Sequence, residues 1–449
     1  MGKLFGTDGV RGLANAQLDG MLAFKLGQAG AYVLTREKHR PKILIGRDTR
    51  LSGDMLEAAI VAGICSVGAE AVVAGVLPTP AVAYLTRHYG ADAGVVISGS
   101  HNSMEDNGIK FFDRRGYKLP DDMEERVERI ILENAEALPN PVGIEVGRRV
   151  RARDVTRDYI DFLTSTINGT RLDGLKVVVD CANGAAFEVA PKVLTKLGTQ
   201  LTVIHDDPDG ININLHCGST HPERLQSYVL ETGADIGIAF DGDADRLILV
   251  DEHGKIVDGD HIMAICGISL NAREILNKNT VVTTVMSNLG LDLALKKAGC
   301  NIVKTKVGDR YVLEEMLAQG YNLGGEQSGH VIFLDYNTTG DGILTALQVM
   351  KIMKESNKSL SKLSSVMIKF PQVLANARVK EDKKSALSDD PVIQQEIKNI
   401  ESKFMGNGRV LIRASGTEPL IRVMIEGQDQ PTIERSAYQL ARLIEDRLG

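Results

Sequence analysis

The chain has 449 residues, and 52 Lys and Arg against 59 Asp and Glu leave a formal charge of −7. That length accommodates several domains, and 43% hydrophobic with 25% charged residues is the composition of a core-forming protein, which excludes a disordered or fibrous chain. The acidic balance excludes nucleic acid or an anionic membrane as the main partner, and no apolar run reaches the roughly 18 residues of a membrane span.

In chain order, the opening MGKLFGTDGVRG lacks the apolar core of a signal peptide, so a cytoplasmic protein is expected. Short Val/Ile-rich runs then recur at 42–46, 93–97, 176–180, 235–240 and 280–285, each bounded by Gly, Asp or Asn. Continuous runs of this kind read as strands buried on both faces, with helical segments such as 55–69 crossing between them. The pattern predicts three tandem α/β domains with mixed, mostly parallel sheets, spanning 1–155, 156–255 and 256–368. The remainder, 369–449, reads differently: extended over 367–379, helical over 391–404, strands at 409–413 and 421–426, and a helix over 436–448. This predicts a smaller C-terminal α+β domain, and the charged segment 380–390 (KEDKKSALSDD) reads as a solvated loop.

Absent motifs narrow the chemistry. Cys65, Cys181, Cys217, Cys266 and Cys300 form no C-x-x-C pair and read as buried free thiols, and neither H-E-x-x-H nor a P-loop occurs. The sharpest positive signal is Asp241-Gly242-Asp243-Ala244-Asp245-Arg246 between two apolar strands. Three carboxylates at alternate positions repel one another unless a divalent cation sits among them. A catalytic Mg²⁺ site is the leading reading. An EF-hand is a rival because Glu252 falls at its twelfth position, but Arg246 stands where Gly is required; a solvated acidic turn is the third option.

A second signal, Ile97-Ser98-Gly99-Ser100-His101-Asn102, lies at the end of an apolar strand, where ligands gather in α/β sheets. A hydroxyl there, beside a metal, could carry a phosphoryl group, although Ser, His and Asn are also ordinary turn residues. Lys110 precedes Phe111-Phe112, which suits a partly buried cation as well as a surface one. Gly324 to His330 (GGEQSGH) offers Glu326 and Ser328 to sugar hydroxyls and His330 as acid or base. Arg413-Ala414-Ser415-Gly416-Thr417-Glu418-Pro419, followed by Arg422, combines backbone amides, hydroxyls and two guanidinium groups, a pocket for a dianionic phosphate. The Gly-rich loops 5–12, with Arg11, and 46–50 suit anion handling or ion pairs between domains.

With these loops in order, from FGTDGVRG to RASGTEPLIRVM, the chain resembles the α-D-phosphohexomutase superfamily over essentially its whole length. Val307-Gly308-Asp309-Arg310-Tyr311-Val312 and GEQSGH look most like its bacterial phosphoglucosamine mutase branch. The resemblance implies four domains around a cleft and an isomerase that interconverts glucosamine 6-phosphate and glucosamine 1-phosphate, feeding cell-wall precursor synthesis. It implies Mg²⁺, a phosphoserine at Ser100 and a glucosamine 1,6-bisphosphate or glucose 1,6-bisphosphate intermediate or primer. By the same resemblance Ser100, Asp241, Asp243 and Asp245 hold the metal, with Arg246 just behind them, and His101, Lys110, Arg11 and His330 stand beside the reacting groups. Gly308, Asp309, Arg310, Glu326 and Ser328 are expected on the sugar, and Arg413, Ser415, Gly416, Thr417 and Arg422 on the distal phosphate. A homodimer is common in the family. Phosphomannomutase or phosphoglucomutase activity and a non-catalytic sugar-phosphate binding protein remain as alternatives. Gly99 and Ser103 stand where the family usually has Ala and Pro, which predicts a more flexible serine loop; Ala244 and Ala414 replace the usual Gly and Pro.

Overall fold

Apolar runs without polar interruption become strands buried on both faces: Ala93–Ile97, Ile236–Phe240, Leu247–Asp251 and Thr280–Thr284 are buried at every position. The computed structural model describes residues 4–6, 8–35, 40–404, 407–414 and 419–449. It divides into two compact units, one of residues 1–286 with 299–366, the other of 287–298 with 367–449.

The larger unit holds three sheets. The first has seven strands in the order Phe5–Gly6, Gly9–Leu13, Asp106–Asp113, Ala93–Ile97, Lys42–Arg47, Glu70–Val76 and Arg149–Arg151. The second runs Ile256–Val257, Leu247–Asp251, Ile236–Phe240, Lys176–Asp180, Gln200–Ile204, and the third Asn301–Thr305, Thr280–Thr284, Leu323–Gly325, Val331–Phe333. In each, parallel strands connected through helices end in an antiparallel return: 93–97 pairs with 106–113, 236–240 with 247–251, and 323–325 with 331–333. The helix expected at 55–69 spans Ser52–Ser66 instead, because Gly68 turns to φ +90°, a left-handed conformation that stops it.

The smaller unit is an antiparallel sheet, Gln372–Arg378, Leu420–Gly427 and Gly408–Ala414 in that order, covered by helices Pro391–Lys403 and Gln430–Leu448. Its last helix begins six residues before the expected 436, since Asp429 Oδ2 accepts the Thr432 N–H at 3.0 Å and Pro431 fits the first turn, where no N–H is needed. The charged segment is not an open loop: Glu381–Ser388 is 3-10 helix, and its Ala386 and Leu387 pack on the unit's apolar core. Both side chains are half-buried there, and the apolar area they remove from water favours the packed position at about 25 cal/mol per Å². Among the described residues no helix is long and apolar enough to cross a membrane.

Candidate active site

Three loops, each at the C-terminal end of a parallel strand, converge in the larger unit. The first carries Ser100, which is buried and left-handed at φ +53°, a strained conformation for a side chain other than Gly. The strain is held from below: the Ser100 N–H donates to Ser98 Oγ at 2.9 Å, and Ser98 Oγ donates to Asp48 Oδ2 at 2.6 Å. Arg50, wholly buried and paired with Asp48 at 2.9 Å, donates to the carbonyls of Ser100 (2.8 Å), Asn102 (2.9 Å) and Ser103 (2.6 Å). Gly99 lets it in, since a Cβ there would lie 2.8 Å from Arg50 Cζ. The guanidinium thus occupies space that the usual Ala at position 99 would need.

Ser100 Oγ donates to Asp241 Oδ2 at 2.9 Å, joining the serine loop to the second loop. Asp241, Asp243 and Asp245 are buried, and each offers an oxygen within 4.8 Å of the others. Asp243 Oδ1 and Asp245 Oδ1 are buried without a hydrogen-bond partner among the described residues. Anionic oxygens left unpaired and convergent fit a hard divalent cation such as Mg²⁺. Burial, then the Asp245 and Asp243 carboxylates, push the Asp241 carboxyl well above its usual range, whereas Lys110 and His330 overcome burial and hold Asp245 low. Glu252 rules out the EF-hand: its carboxylate accepts from the Ser361 N–H at 3.1 Å and from the Ser361 hydroxyl, away from the triad. Ala244, at φ +57°, occupies a left-handed position that the usual Gly adopts without strain.

The cations around the triad form a closed alternation of charge. Lys110 Nζ is 3.0 Å from Asp243 Oδ2, 3.0 Å from Asp8 Oδ2 and 3.8 Å from Asp245 Oδ2. Burial opposes its charge, but these carboxylates outweigh it and raise its pKa. Lys118 Nζ bridges Asp8 Oδ1, at 2.6 Å, to Asp309. His330 stands between Asp309 Oδ2 (3.4 Å) and Asp245 Oδ2 (3.5 Å), with the Gly340 nitrogen 3.0 Å from its Nε2. Arg246 Nη1 is 2.9 Å from His101 Nδ1, and burial with the Arg246 and Arg11 charges pushes His101 down to about 4, neutral at physiological pH.

Beside this network lies a cavity of about 490 Å³ lined by Asp8, Arg11, His101, Asp245, Arg246, Gly308, Asp309, Glu326 and His330, among others. Its volume is within the ordinary range for small-ligand sites. Glu326 Oε1 accepts the Gly308 N–H at 3.1 Å, which ties two of the expected sugar loops together. Two expected residues are elsewhere. Ser328 is exposed and does not line the cavity. Arg310 is turned away, held by Asp121 Oδ1 (2.5 Å), Glu124 Oε2 (3.1 Å) and the Leu119 carbonyl (2.9 Å), because the helix that carries it faces these partners. In the smaller unit Arg413 and Arg422 are exposed and directly opposite across antiparallel strands. Ser415, Gly416 and Thr417 lie outside the described residues. Asp8, Lys118, Arg50 and Asn214, all built into the site or its support, were not singled out from sequence; Asp8 and Arg50 sit in the two Gly-rich loops whose signal was weak.

Family models described as phosphoglucomutase/phosphomannomutase alpha/beta/alpha domains I, II and III match residues 2–138, 157–254 and 258–370, and the C-terminal domain of the same family matches 374–443. The phosphoglucosamine mutase of Clostridium acetobutylicum is 62% identical over 447 residues, covering all of both chains. That of Acetivibrio thermocellus is 60% identical over 450 residues, again covering all of both. Among solved structures, a phosphoglucomutase/phosphomannomutase family protein from Burkholderia thailandensis aligns with TM-score 0.80 at 24% identity, over 99% of this chain and 97% of that one. Aspergillus fumigatus N-acetylphosphoglucosamine mutase, solved with GlcNAc-6P and magnesium, aligns with TM-score 0.68 at 18% identity over 99% and 96% of the two chains.

Proposed function

Because the chain belongs to the phosphoglucomutase/phosphomannomutase family, we propose that it is an isomerase interconverting glucosamine 6-phosphate and glucosamine 1-phosphate, the activity for which its relatives at about 60% identity are named. The observation that carries the reading is Ser100 Oγ, buried 2.9 Å from Asp241 Oδ2 and beside a carboxylate triad in which Asp243 Oδ1 and Asp245 Oδ1 have no hydrogen-bond partner among the described residues. In this reading Ser100 carries a phosphoryl group. The Oγ–P bond breaks as the free hydroxyl of the sugar phosphate bonds to phosphorus, and the proton of that hydroxyl ends on the departing Ser100 Oγ. The bisphosphorylated sugar turns over, returns its other phosphoryl group to Ser100, and leaves as the isomeric monophosphate.

Asp241, Asp243 and Asp245, with a phosphoserine oxygen, would hold Mg²⁺, which when bound supplies electrostatic stabilisation to the transferring phosphoryl group. The protein's own cations add to this: Lys110 stands 3.0 Å from Asp243 Oδ2, and Arg11 lines the cavity. Glu326 takes the sugar hydroxyls, and Arg413, Ser415, Gly416, Thr417 and Arg422 are read as taking the phosphate that does not react. Four domains cut near residues 155, 255 and 368 give each sheet one such loop. The reading makes the protein cytosolic and needs no partner besides the hexosamine phosphate.

Peptide mapping of the purified protein and an Mg²⁺-dependent assay with glucosamine, glucose and mannose 6-phosphates test this. Phosphate on Ser100 with the highest kcat/KM for the amino sugar is expected. Preference for a neutral hexose moves the substrate to the phosphoglucomutase or phosphomannomutase alternative. Full activity in Ser100→Ala would overturn the mechanism.

A further inference from the structure

A second set of metal-type donors converges behind the serine loop, apart from the carboxylate triad. Asp180 ends the strand Lys176–Asp180, His205 follows the neighbouring strand Gln200–Ile204, and Cys217 lies in the irregular segment after it. One ligand atom from each lies within 4.8 Å of the other two. Asp180 and Cys217 have no exposed surface, and the His205 side chain is 20% exposed.

The polar contacts of this cluster are incomplete. The Ala182 N–H donates to Asp180 Oδ1 and the Gly218 N–H to Oδ2, both at 2.9 Å, which fixes the carboxylate and leaves each oxygen a free lone pair. His205 Nδ1 stands 3.0 Å from Oδ2 but without the alignment that a hydrogen bond needs. It is a buried ring nitrogen with no hydrogen-bond partner among the described residues. A buried polar atom left in this way costs about 1–3 kcal/mol unless something else engages it.

We propose that Asp180, His205 and Cys217 bind one divalent cation of the zinc class, with water completing the coordination. The donor chemistry selects the ion: one thiolate, one imidazole and one carboxylate suit a borderline cation, whereas the all-oxygen triad suits Mg²⁺. The spacing is compatible, since a tetrahedron with Zn–N and Zn–O bonds of about 2.0–2.1 Å has an edge of about 3.3 Å, a few tenths longer than the present N···O separation. On binding, Cys217 Sγ releases its proton to solvent and no electron is transferred. The partly exposed side of His205 gives water its way in.

The site has structural consequences for the serine loop. The segment between His205 and Cys217 carries Asn214, whose Nδ2 donates to the carbonyls of Ser100 at 2.8 Å and Asn102 at 2.9 Å. An ion tying both ends of that segment to the strand end at Asp180 braces the support of Ser100 without touching the reacting groups. The proposal does not depend on which sugar the protein acts on.

The test uses the full-length protein, stripped with EDTA, kept reduced and titrated with Co²⁺ alone. A cobalt–thiolate charge-transfer band in the near ultraviolet, saturating at one equivalent, is expected in the wild type and in Asp243→Asn, where the triad is broken. Cys217→Ser should lack the band, and His205→Gln, near the surface and so the milder change, should weaken Co²⁺ binding at this site at least about tenfold. No band in the wild type at saturating Co²⁺, a band intact in Cys217→Ser, or unchanged affinity in His205→Gln would each overturn the proposal.

Discussion

Arg50 offers the most demanding test of how the serine loop is held. In Arg50→Lys the ammonium can keep Asp48 and at most one of the carbonyls of Ser100, Asn102 and Ser103 that the guanidinium now serves. Two charge-assisted bonds are lost, each worth about 1.5–3 kcal/mol when its acceptor is left bare. Here Asn214 still serves Ser100 and Asn102, and Ser103 is exposed to water, so the loss is at the lower end, about 2–4 kcal/mol in total. At 1.4 kcal/mol per factor of ten, local opening of the loop rises roughly 30- to 1000-fold. Hydrogen exchange at the Ser100 and Asn102 amides, which donate to Ser98 Oγ and the Gly99 carbonyl, reads this directly. Gly99→Ala should cost about 1–3 kcal/mol in the wild type, where the new Cβ meets an immovable guanidinium, and less in the Arg50→Lys background. Exchange in Arg50→Lys within about threefold of the wild type would refute the clamp.

Three further outcomes follow from the same geometry. Mg²⁺ should raise the melting temperature of the wild type, by an amount equivalent to about 2.7 kcal/mol at a hundredfold excess over Kd, and leave that of Asp243→Asn unmoved in a thermal-shift experiment. Burial pushes the Asp341 carboxyl up to about 6 against the pull of the Leu344, Tyr159 and Asn337 donors. The folded state therefore keeps a proton that the unfolded chain releases near 3.8; this stabilisation is full below that value and is lost as pH rises to about 6, so urea melts of Asp341→Asn should lack that part of the wild-type slope. Native alkylation read by mass spectrometry should modify Cys65 alone, since Cys181, Cys217, Cys266 and Cys300 are buried and burial pushes Cys217 and Cys266 up to about 12.

What was legible in the sequence was whatever chemistry lies within one loop. Asp241, Asp243 and Asp245 announce a cation site because their repulsion is local, and Ser100 is conspicuous because it ends an apolar strand. Arg50 gave a faint signal because its partners are carbonyls of a loop fifty residues on, and carbonyls carry no residue identity. Asp8 and Lys118 were missed for a related reason: the Lys118 bond to Asp309 joins positions 191 residues apart, and nothing local distinguishes either from a surface charge. Arg310 was assigned to the sugar by motif, but Asp121 and Glu124, on a helix of the first sheet's domain, claim it. Asp180 and His205 are separated by a helix and a strand, and Cys217 follows only after an irregular segment, so no ligand spacing could reveal them.

The placement of the three loops follows from one repeated economy of topology. A parallel strand delivers its loop at its C-terminal end, and the antiparallel return that follows lets the chain leave without a crossover helix covering that end. Ile97 to Asp106, Phe240 to Leu247 and Gly325 to Val331 each do this, so serine, carboxylates and Glu326 with His330 emerge from equivalent places in three sheets. An ordinary crossover would send a helix away from the loop and leave room for backbone ligands at its N-terminus; the hairpin return instead gives short, two-sided anchorage that can hold side chains at fixed separations. The cost is backbone strain at the turn, visible at Ser100 and Ala244, both left-handed. Relief of that strain at position 244 by Gly removes a buried methyl group at the same time, worth about 0.8 kcal/mol, so the family's usual Gly and this chain's Ala are close in energy.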